Sequence, residues 1–393
     1  MNVDTALVER ARSVATGSLA ANAGKVDAQA QFPGDNIAAL HEAGLMAIFL
    51  PAAQGGHEAS VATFGAIAAV LGEQCASTAM LWAMHGQQLI SLLDHAADSH
   101  AEWLAKVGAE GCVIGSVTTD KTGGADLFAT GDALVPEGRK IRVRREAPVV
   151  TAGANAGFYL VSMRVDEDAP INDTCLVCVA PEDGLIEERG VWDALGMRGT
   201  HSVPMYLDAL VEPSRVLAAR FSDIAKLTLV PAGHVGWAGC WLGAARGAAN
   251  RVRDALRKRT IGRSGQHSDV LFARLAEVRL KLDLLESLLA RVATEADELR
   301  AARRAGGPAE FVDPVLVNNL KLAGADLAFA AVNQLIDLVG MRGGYQRDSA
   351  LGLERTFRDL RSCALMFHND RLLQVNGRLV LAGSRGLIGI GGS

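Results

Sequence analysis

The stretch T-T-D-K-T-G-G-A-D at Thr118–Asp126 leads to a turn at Pro136-Glu137-Gly138 and then to P-V-V-T-A-G-A-N-A-G-F-Y-L-V at Pro148–Val161. The later half mixes β-branched and aromatic residues with small ones, which reads as strand. The earlier half is a Gly/Thr-rich loop leaving the apolar run Cys112–Val117. Such a loop offers backbone N–H groups and hydroxyls with no bulky side chain in the way, which suits a flat polar ligand. Gly-rich loops between strands are more often plain turns, so the meaning of this one depends on what surrounds it.

On the N-terminal side, the text is helical. Val3, Leu7, Ala11, Val14 and Leu19 fall near one face. Phe32-Pro33-Gly34-Asp35 breaks that helix, and Asp35 can cap the next, through Ile37, Leu40 and Leu45. Pro51–Gly56 reads as a loop, and Thr63–Leu71 and Ser77–Leu93 as buried Ala-rich helices. From Cys112 to about Leu217 short runs such as Phe158–Met163, Thr174–Val179 and Val203–Leu207 alternate with Pro, Gly, Asn and Asp turns, a β-domain. Helical text resumes at Ser222. Val270–Arg300 is amphipathic, Gly306-Gly307-Pro308 ends it, and a further helix spans Pro314–Leu338. The expected fold is α+β: an N-terminal helical domain (1–111), a central β-domain (112–221) and a C-terminal helical bundle (222–393).

A chain of 393 residues can bury a large core. Its net charge of -5 gives no basic surface for nucleic acid or an anionic membrane. No apolar run reads as a membrane span; Val235–Ala249 is broken by Arg246 and several glycines. The N-terminus, with Asp4 and Glu9, has no signal or transit pattern, so a cytoplasmic location is expected. The six cysteines are scattered. Cys175 and Cys178 form a lone CxxC in an apolar run, with no second pair and no nearby histidine, and read as core thiols; no metal site is expected.

Taken in order, these segments resemble the acyl-CoA dehydrogenase superfamily over nearly the whole chain. Leu40–Leu45 and Leu50–Gly56 are similar to its opening pattern. Thr119–Asp126 aligns without a gap to its flavin loop T-E-P-x-x-G-S-D, and Val150-Thr151-Ala152 to its I-T-N strand. Leu195–Thr200 matches L-G-x-R-G-[ST]. Gly340–Tyr345 and Leu353–Arg361 are similar to its late "GG.GY … ER..RD.R". The resemblance implies a β-barrel-like central domain and a four-helix bundle that assembles into a homo-oligomer, a tetramer or dimer. It implies FAD between them, with FMN if the chain is a monooxygenase. Cofactor contacts then fall on Thr119, Gly124, Thr151, Arg257, Arg259, Gln334, Gly343 and Gly344. The Thr151 hydroxyl would lie near flavin N5, where a donor favours the reduced ring.

The departures bear on the chemistry. The family's usual catalytic glutamate falls here on Phe367, within Leu365–Asp370. Some members place it at the start of the first bundle helix, and the matching stretch near Gly233-His234 has no Glu either. Lys121 and Ala125 replace the loop proline and serine, and Arg257–Gly262 replaces the adenine-side R-x-x-F-G. A positioned base contributes about 10²–10⁴-fold to α-proton removal. His368, beside Phe367, could supply one, since imidazole is a common general base near neutral pH. Flavin monooxygenases of the same fold also resemble this chain. They carry a C-terminal histidine, a histidine on an N-terminal-domain helix, and Ser/Thr near N5; here His368, His85 and Thr151. The plainer readings are a backbone-bonded core histidine for His85, a cap or interface residue for His368, and a strand threonine for Thr151.

Three functions are therefore expected to compete. One is dehydrogenation of an acyl-CoA or acyl-carrier thioester with an unusual base. Another is two-component monooxygenation of a small organic substrate. The last is flavin or thioester binding without turnover. An electron acceptor or a flavin reductase is the implied partner.

Overall fold

A computed structural model of the chain describes residues 3–120, 127–261 and 268–383. The N-terminal helices are α1 (Thr5–Val14), α2 (Ala20–Gln29), α3 (Gly34–Glu42), α4 (Val61–Gly72), α5 (Ala76–Ala96) and α6 (Ala101–Glu110). A five-residue π turn, Ala15–Leu19, joins α1 to α2. Asp4 caps α1 by accepting from the Ala6 and Leu7 N–H groups, and Ser60 caps α4 by accepting from Thr63. Each cap satisfies donors that a helix start leaves without a backbone partner.

The strands are β1 (Ile114–Val117), β2 (Val135–Glu137), β3 (Lys140–Val150), β4 (Phe158–Arg164), β5 (Thr174–Val179), β6 (Gly184–Glu188) and β7 (Val203–Val211). They form two open sheets, β1-β4-β5 and β2-β3-β7-β6, with β1 and β4 parallel and the other pairs antiparallel. This corrects the barrel-like expectation: no strand is shared between the sheets, so the hydrogen-bond ladder does not close. The strand reading of Pro148–Val161 is also interrupted. β3 stops at Val150, and a short turn with Ala152 (φ 74°) and Gly153 (φ 52°) in the left-handed region precedes β4. The Tyr159 hydroxyl donates to Gly153 O and pins that turn. Cys175 and Cys178 are buried in β5 as free thiols, and burial pushes Cys175 up to about 12.

The C-terminal part contains α7 (Phe221–Ile224), α8 (Val230–Ile261), α9 (Asp269–Arg304), α10 (Pro314–Gly340), α11 (Leu353–Arg361) and α12 (Asn369–Leu381). Asp313 caps α10 ahead of Pro314 at its first position, where a missing N–H costs nothing. α8 packs on α4, α5, α9 and α10, which welds the N-terminal helices to the bundle. The weld depends on a stripe at every fourth residue of α8. A methyl group on Gly239, Gly243 or Gly247 would overlap the backbone of Gly65, Ala69 or Glu73. α10 with the turn after it, Pro314–Tyr345, is one helix long and apolar enough to cross a bilayer by length and composition, which the reading of the sequence did not expect. Here it packs against α8 and α9 and carries the buried polar Asn318 and Lys321, as bundle core does.

Candidate active site: a cavity between the sheets and the bundle

A cavity of about 1000 Å³ opens where α5, the ends of β1 and β3, and the bundle meet. Met80 and Met84 of α5, Trp192, Trp237 and Phe367 give it largely apolar walls. Hydroxyls line the sheet side. Thr119 Oγ1 donates to Val149 O at 2.9 Å, holding the loop after β1 to the end of β3. Thr151 Oγ1 lies 3.1 Å from Ser202 Oγ, which is 2.8 Å from Thr200 Oγ1, and Thr200 donates to Met197 O at 2.9 Å. Each hydroxyl has one proton, so Ser202 donates to Thr200 and Thr151 to Ser202. In that direction Thr151 presents lone pairs to the cavity; donation from Thr151 requires the relay to reverse at Thr200.

Beneath the Thr119 loop sits Arg145, whose side chain has no exposed area. Its Nη2 donates to Thr119 O at 2.9 Å, and its Nη1 reaches Thr130 Oγ1, Asp132 at 3.2 Å and Asp120 at 3.4 Å. Asp120 also accepts from the Gly131 N–H at 2.8 Å. A guanidinium therefore fixes the loop from below through its backbone and its acid.

The segment Leu195–Thr200 is held by α11. Arg358 donates to Leu195 O at 3.0 Å and pairs with Asp27 and Glu354. The neighbouring Asp359 accepts from the Met197 N–H at 2.6 Å, and burial pushes its carboxyl up to about 6. A side chain on Gly196 would run into the Arg358 carbonyl. Two motifs far apart in the chain are thus one joint, and it forms part of the cavity wall.

Phe367 and His368 lie on the cavity's bundle side. Phe367 has φ 49°, an unusual backbone for an aromatic residue. The turn is held by the buried Lys321, which donates to Phe367 O at 3.0 Å and Asn369 Oδ1 at 2.6 Å. Burial lowers that ammonium to about 8. His368 is more than half exposed, with Nδ1 3.7 Å from Asp370. Thr119, Thr151 and His368 therefore share one cavity.

His85 does not. It is 1% exposed; its Nε2 donates to Met46 O at 2.8 Å, and its Nδ1 accepts from the Ile114 N–H at 3.1 Å. Its neighbours Met84 and Gln87 line the cavity instead. The catalytic reading of His85 is therefore corrected to a clamp joining α5, the loop before α4 and β1, because both ring nitrogens are committed to backbone. The second histidine of the cavity is His234, which the sequence offered only as a position lacking glutamate. It is 3% exposed, and its Nδ1 donates to Val317 O at 3.0 Å.

The remaining cofactor candidates lie elsewhere. Arg257 is exposed, roughly 35 Å along α8 from His234. Gln334 is bonded to Lys281 at 3.0 Å and to Glu277, and Gly343 and Gly344 are in the turn after α10. α8 and α10 touch at their starts, through His234 and Val317, so these residues gather at the other end of the bundle. Gly124 and the Arg259 side chain lie outside the described residues. Among the described residues no cluster of His, Cys, Asp and Glu could hold a metal.

Burial holds both His85 and His234 at about 4. Between about pH 6.5 and 4 the unfolded chain binds more protons at these rings than the folded one, so stability falls as pH drops through that window. At pH 5 each ring should contribute a loss of about 2 kcal/mol, and Asp359, raised to about 6, offsets about 1 kcal/mol by favouring the folded state as acid is added. Urea midpoints at pH 7 and pH 5 check this. The acid-side decline should shrink in His85→Asn, and a pH-independent midpoint would contradict it.

A helical domain, a two-sheet middle and a helical bundle thus close on one cavity. The family model described as "Acyl-CoA dehydrogenase, N-terminal domain" matches residues 3–112, and "Acyl-CoA dehydrogenase, C-terminal domain" matches residues 235–371. The chain belongs to the acyl-CoA dehydrogenase family. A cyclohex-1-ene-1-carbonyl-CoA dehydrogenase of Geobacter metallireducens is 25% identical over 387 residues, covering 95% of this chain and 97% of that one. Two solved structures share the fold. Butyryl-CoA dehydrogenase from Megasphaera elsdenii has TM-score 0.82 at 15% identity, covering 97% of this chain and 99% of its own. FMN-bound TdsC from Paenibacillus sp. A11-2, a dibenzothiophene monooxygenase, has TM-score 0.82 at 18% identity, covering 96% and 97%. The FMN bound in TdsC agrees with the expectation of a flavin, and as a member of the family the chain is an oxidoreductase whose reaction its own residues must decide.

Proposed function

We propose that the protein oxidises an acyl thioester across its α and β carbons in this cavity. The observation that carries the reading is the cavity itself: apolar walls face the Thr151–Ser202–Thr200 hydroxyls, and Lys226, Arg361 and Arg371 stand in its lining, suited to an anionic carrier such as CoA. The residues fit the ring end of a flavin, since Arg145 and the Thr119–Val149 bond preset Thr119, with its hydroxyl and backbone, beside an apolar slot. When bound, the flavin supplies the hydride acceptor. Trp192, Met80, Met84 and Phe367 exclude water, and Thr119 and Thr151 orient the ring edge. His368 is the proposed base, taking the α-proton at an imidazole nitrogen, and its product side faces solvent.

Arg257, Gln334, Gly343 and Gly344 are too far from the cavity to serve the same flavin ring within one chain. A second copy could bring them to it, which supports a homo-oligomer. The exposed Phe272, Leu280 and Leu284 on α9, and Met341 and Tyr345 after α10, fit that reading. Electrons would leave to a protein acceptor.

One observation favours a second reading, two-component monooxygenation with a flavin reductase as partner. Among the described residues of the cavity wall the only carboxylate is Asp120, and it is bound to Gly131 and Arg145. Anaerobic mixing of the oxidised holoenzyme with acyl thioesters separates the two. Bleaching of the flavin supports dehydrogenation, and His368→Ala should slow it by about 10²-fold. If no thioester bleaches it, but reduced flavin with oxygen hydroxylates a small substrate, monooxygenation is correct. Undiminished bleaching in His368→Ala would remove this histidine from the mechanism.

A further inference from the structure

The inner wall of the cavity carries polar groups that neither reading uses. His234, Trp237 and Gln87 are 3%, 8% and 4% exposed, and all three line the cavity. His234 and Trp237 lie one turn apart on α8, their rings tilted by 42° with centres 5.3 Å apart. Gln87 reaches them from α5. Its amide lies against Gly233, where a Cβ would collide with it, so the glycine beside His234 is what admits the amide.

Each of these side chains is left partly unpartnered. Val317 O takes the Nδ1 proton of His234, so Nε2 carries the lone pair, and it makes no hydrogen bond among the described residues. Gln87 Oε1 and Trp237 Nε1 are buried without partners. A buried polar atom without a partner costs about 1–3 kcal/mol, and a ligand that supplies the missing bond recovers it. Two such atoms, with the unbonded His234 Nε2 beside them, in a cavity with largely apolar walls mark a place for one polar group on an apolar substrate.

We propose that His234, Gln87 and Trp237 form a recognition subsite in which His234 Nε2 accepts a hydrogen bond from an O–H or N–H group of the substrate. The acyl group would then be a functionalised one, hydroxylated or N–H-bearing, rather than a plain alkyl chain. His234 acts here as acceptor and not as base. Burial holds its pKa at about 4, which leaves the ring neutral at pH 7 but too weakly basic to keep a proton there. His368, by contrast, has a side chain more than half exposed, so the two rings meet different surroundings. Sites built to bond a hydroxyl reject the analogue that lacks it, because their own polar groups are then stranded.

The proposal rests on the cavity being the substrate site, and its test does not require turnover. Probes are the N-acetylcysteamine thioesters of 3- and 4-hydroxyphenylpropionate and their methyl ethers. Binding to the flavin-loaded protein is read by calorimetry at pH 7. At least one phenol should bind about tenfold more tightly than its ether, the size of one recovered hydrogen bond. His234→Phe should bring that ratio to about one with little change for the ether. His234→Gln, which keeps an acceptor, should retain part of it, and Gln87→Leu should reduce it. If His234→Phe fails to fold, the Gln87→Leu and His234→Gln ratios decide. Equal binding of every phenol and ether, no binding of either, or a preference that survives His234→Phe overturns the subsite. Flavin bleaching by the same thioesters is scored separately. Bleaching without preference leaves the dehydrogenase reading standing and this one refuted; preference without bleaching does the reverse.

Discussion

Arg145→Met should lower stability by about 3–5 kcal/mol and release the flavin. Removing one member of a buried ion cluster costs more than the cluster contributes, because the charges left behind stay buried. Here Asp120, with a side chain 5% exposed, would lose its guanidinium, and Thr119 O and Thr130 would lose their donor. Burial alone lowers the pKa of Arg145, and the two aspartates oppose that shift, so the cluster is balanced only when complete. Methionine keeps the volume, which makes the loss electrostatic and not a cavity effect. Urea unfolding of the apoprotein gives the stability term, and flavin retained through gel filtration gives the binding term. A wild-type midpoint with full flavin retention would show that the Thr119 loop stands without its support.

Gly243→Val should have an effect at least as large. A side chain there would occupy the space of the Ala69 carbonyl on α4, and backbone cannot move aside as a flexible side chain can. The two helices must separate, which opens the interface joining the N-terminal helices to the bundle. Overpacking costs about 1–3 kcal/mol where side chains can adjust, and more where they cannot. We expect insoluble protein, or a loss beyond about 3 kcal/mol by denaturant titration. Gly377→Ala is the control. It lies in α12 with open space where the methyl group would go, and alanine there should gain up to about 1 kcal/mol from helix propensity. Soluble Gly243→Val with an unchanged midpoint would mean the helices do not approach as closely as described.

The order of helices, strands and helices was legible in the sequence, because hydrophobic period and turn residues report on local backbone preference. So were many element positions: β5 falls on Thr174–Val179, and α9 ends before Gly306-Gly307-Pro308. The family was legible from short motifs in the right order, and two of them, Leu195–Thr200 and Leu353–Arg361, prove to be halves of one joint. That they touch was not legible. Asp359 meets the Met197 N–H across 162 positions, and no local pattern encodes such a pairing.

The histidines show the same limit. In sequence, His85 and His234 are alike, each on an apolar helix. The tertiary structure separates them by what their second ring nitrogen meets. The Ile114 N–H bonds the second nitrogen of His85 and makes it a clamp, while the second nitrogen of His234 makes no hydrogen bond among the described residues and belongs to a cavity wall. Arg145 likewise becomes a support only where Thr119, Thr130 and Asp132 close over it. Local sequence determined which faces would be buried. The fold alone decided which buried polar atoms were satisfied, because the partner that satisfies each one comes from a distant part of the chain.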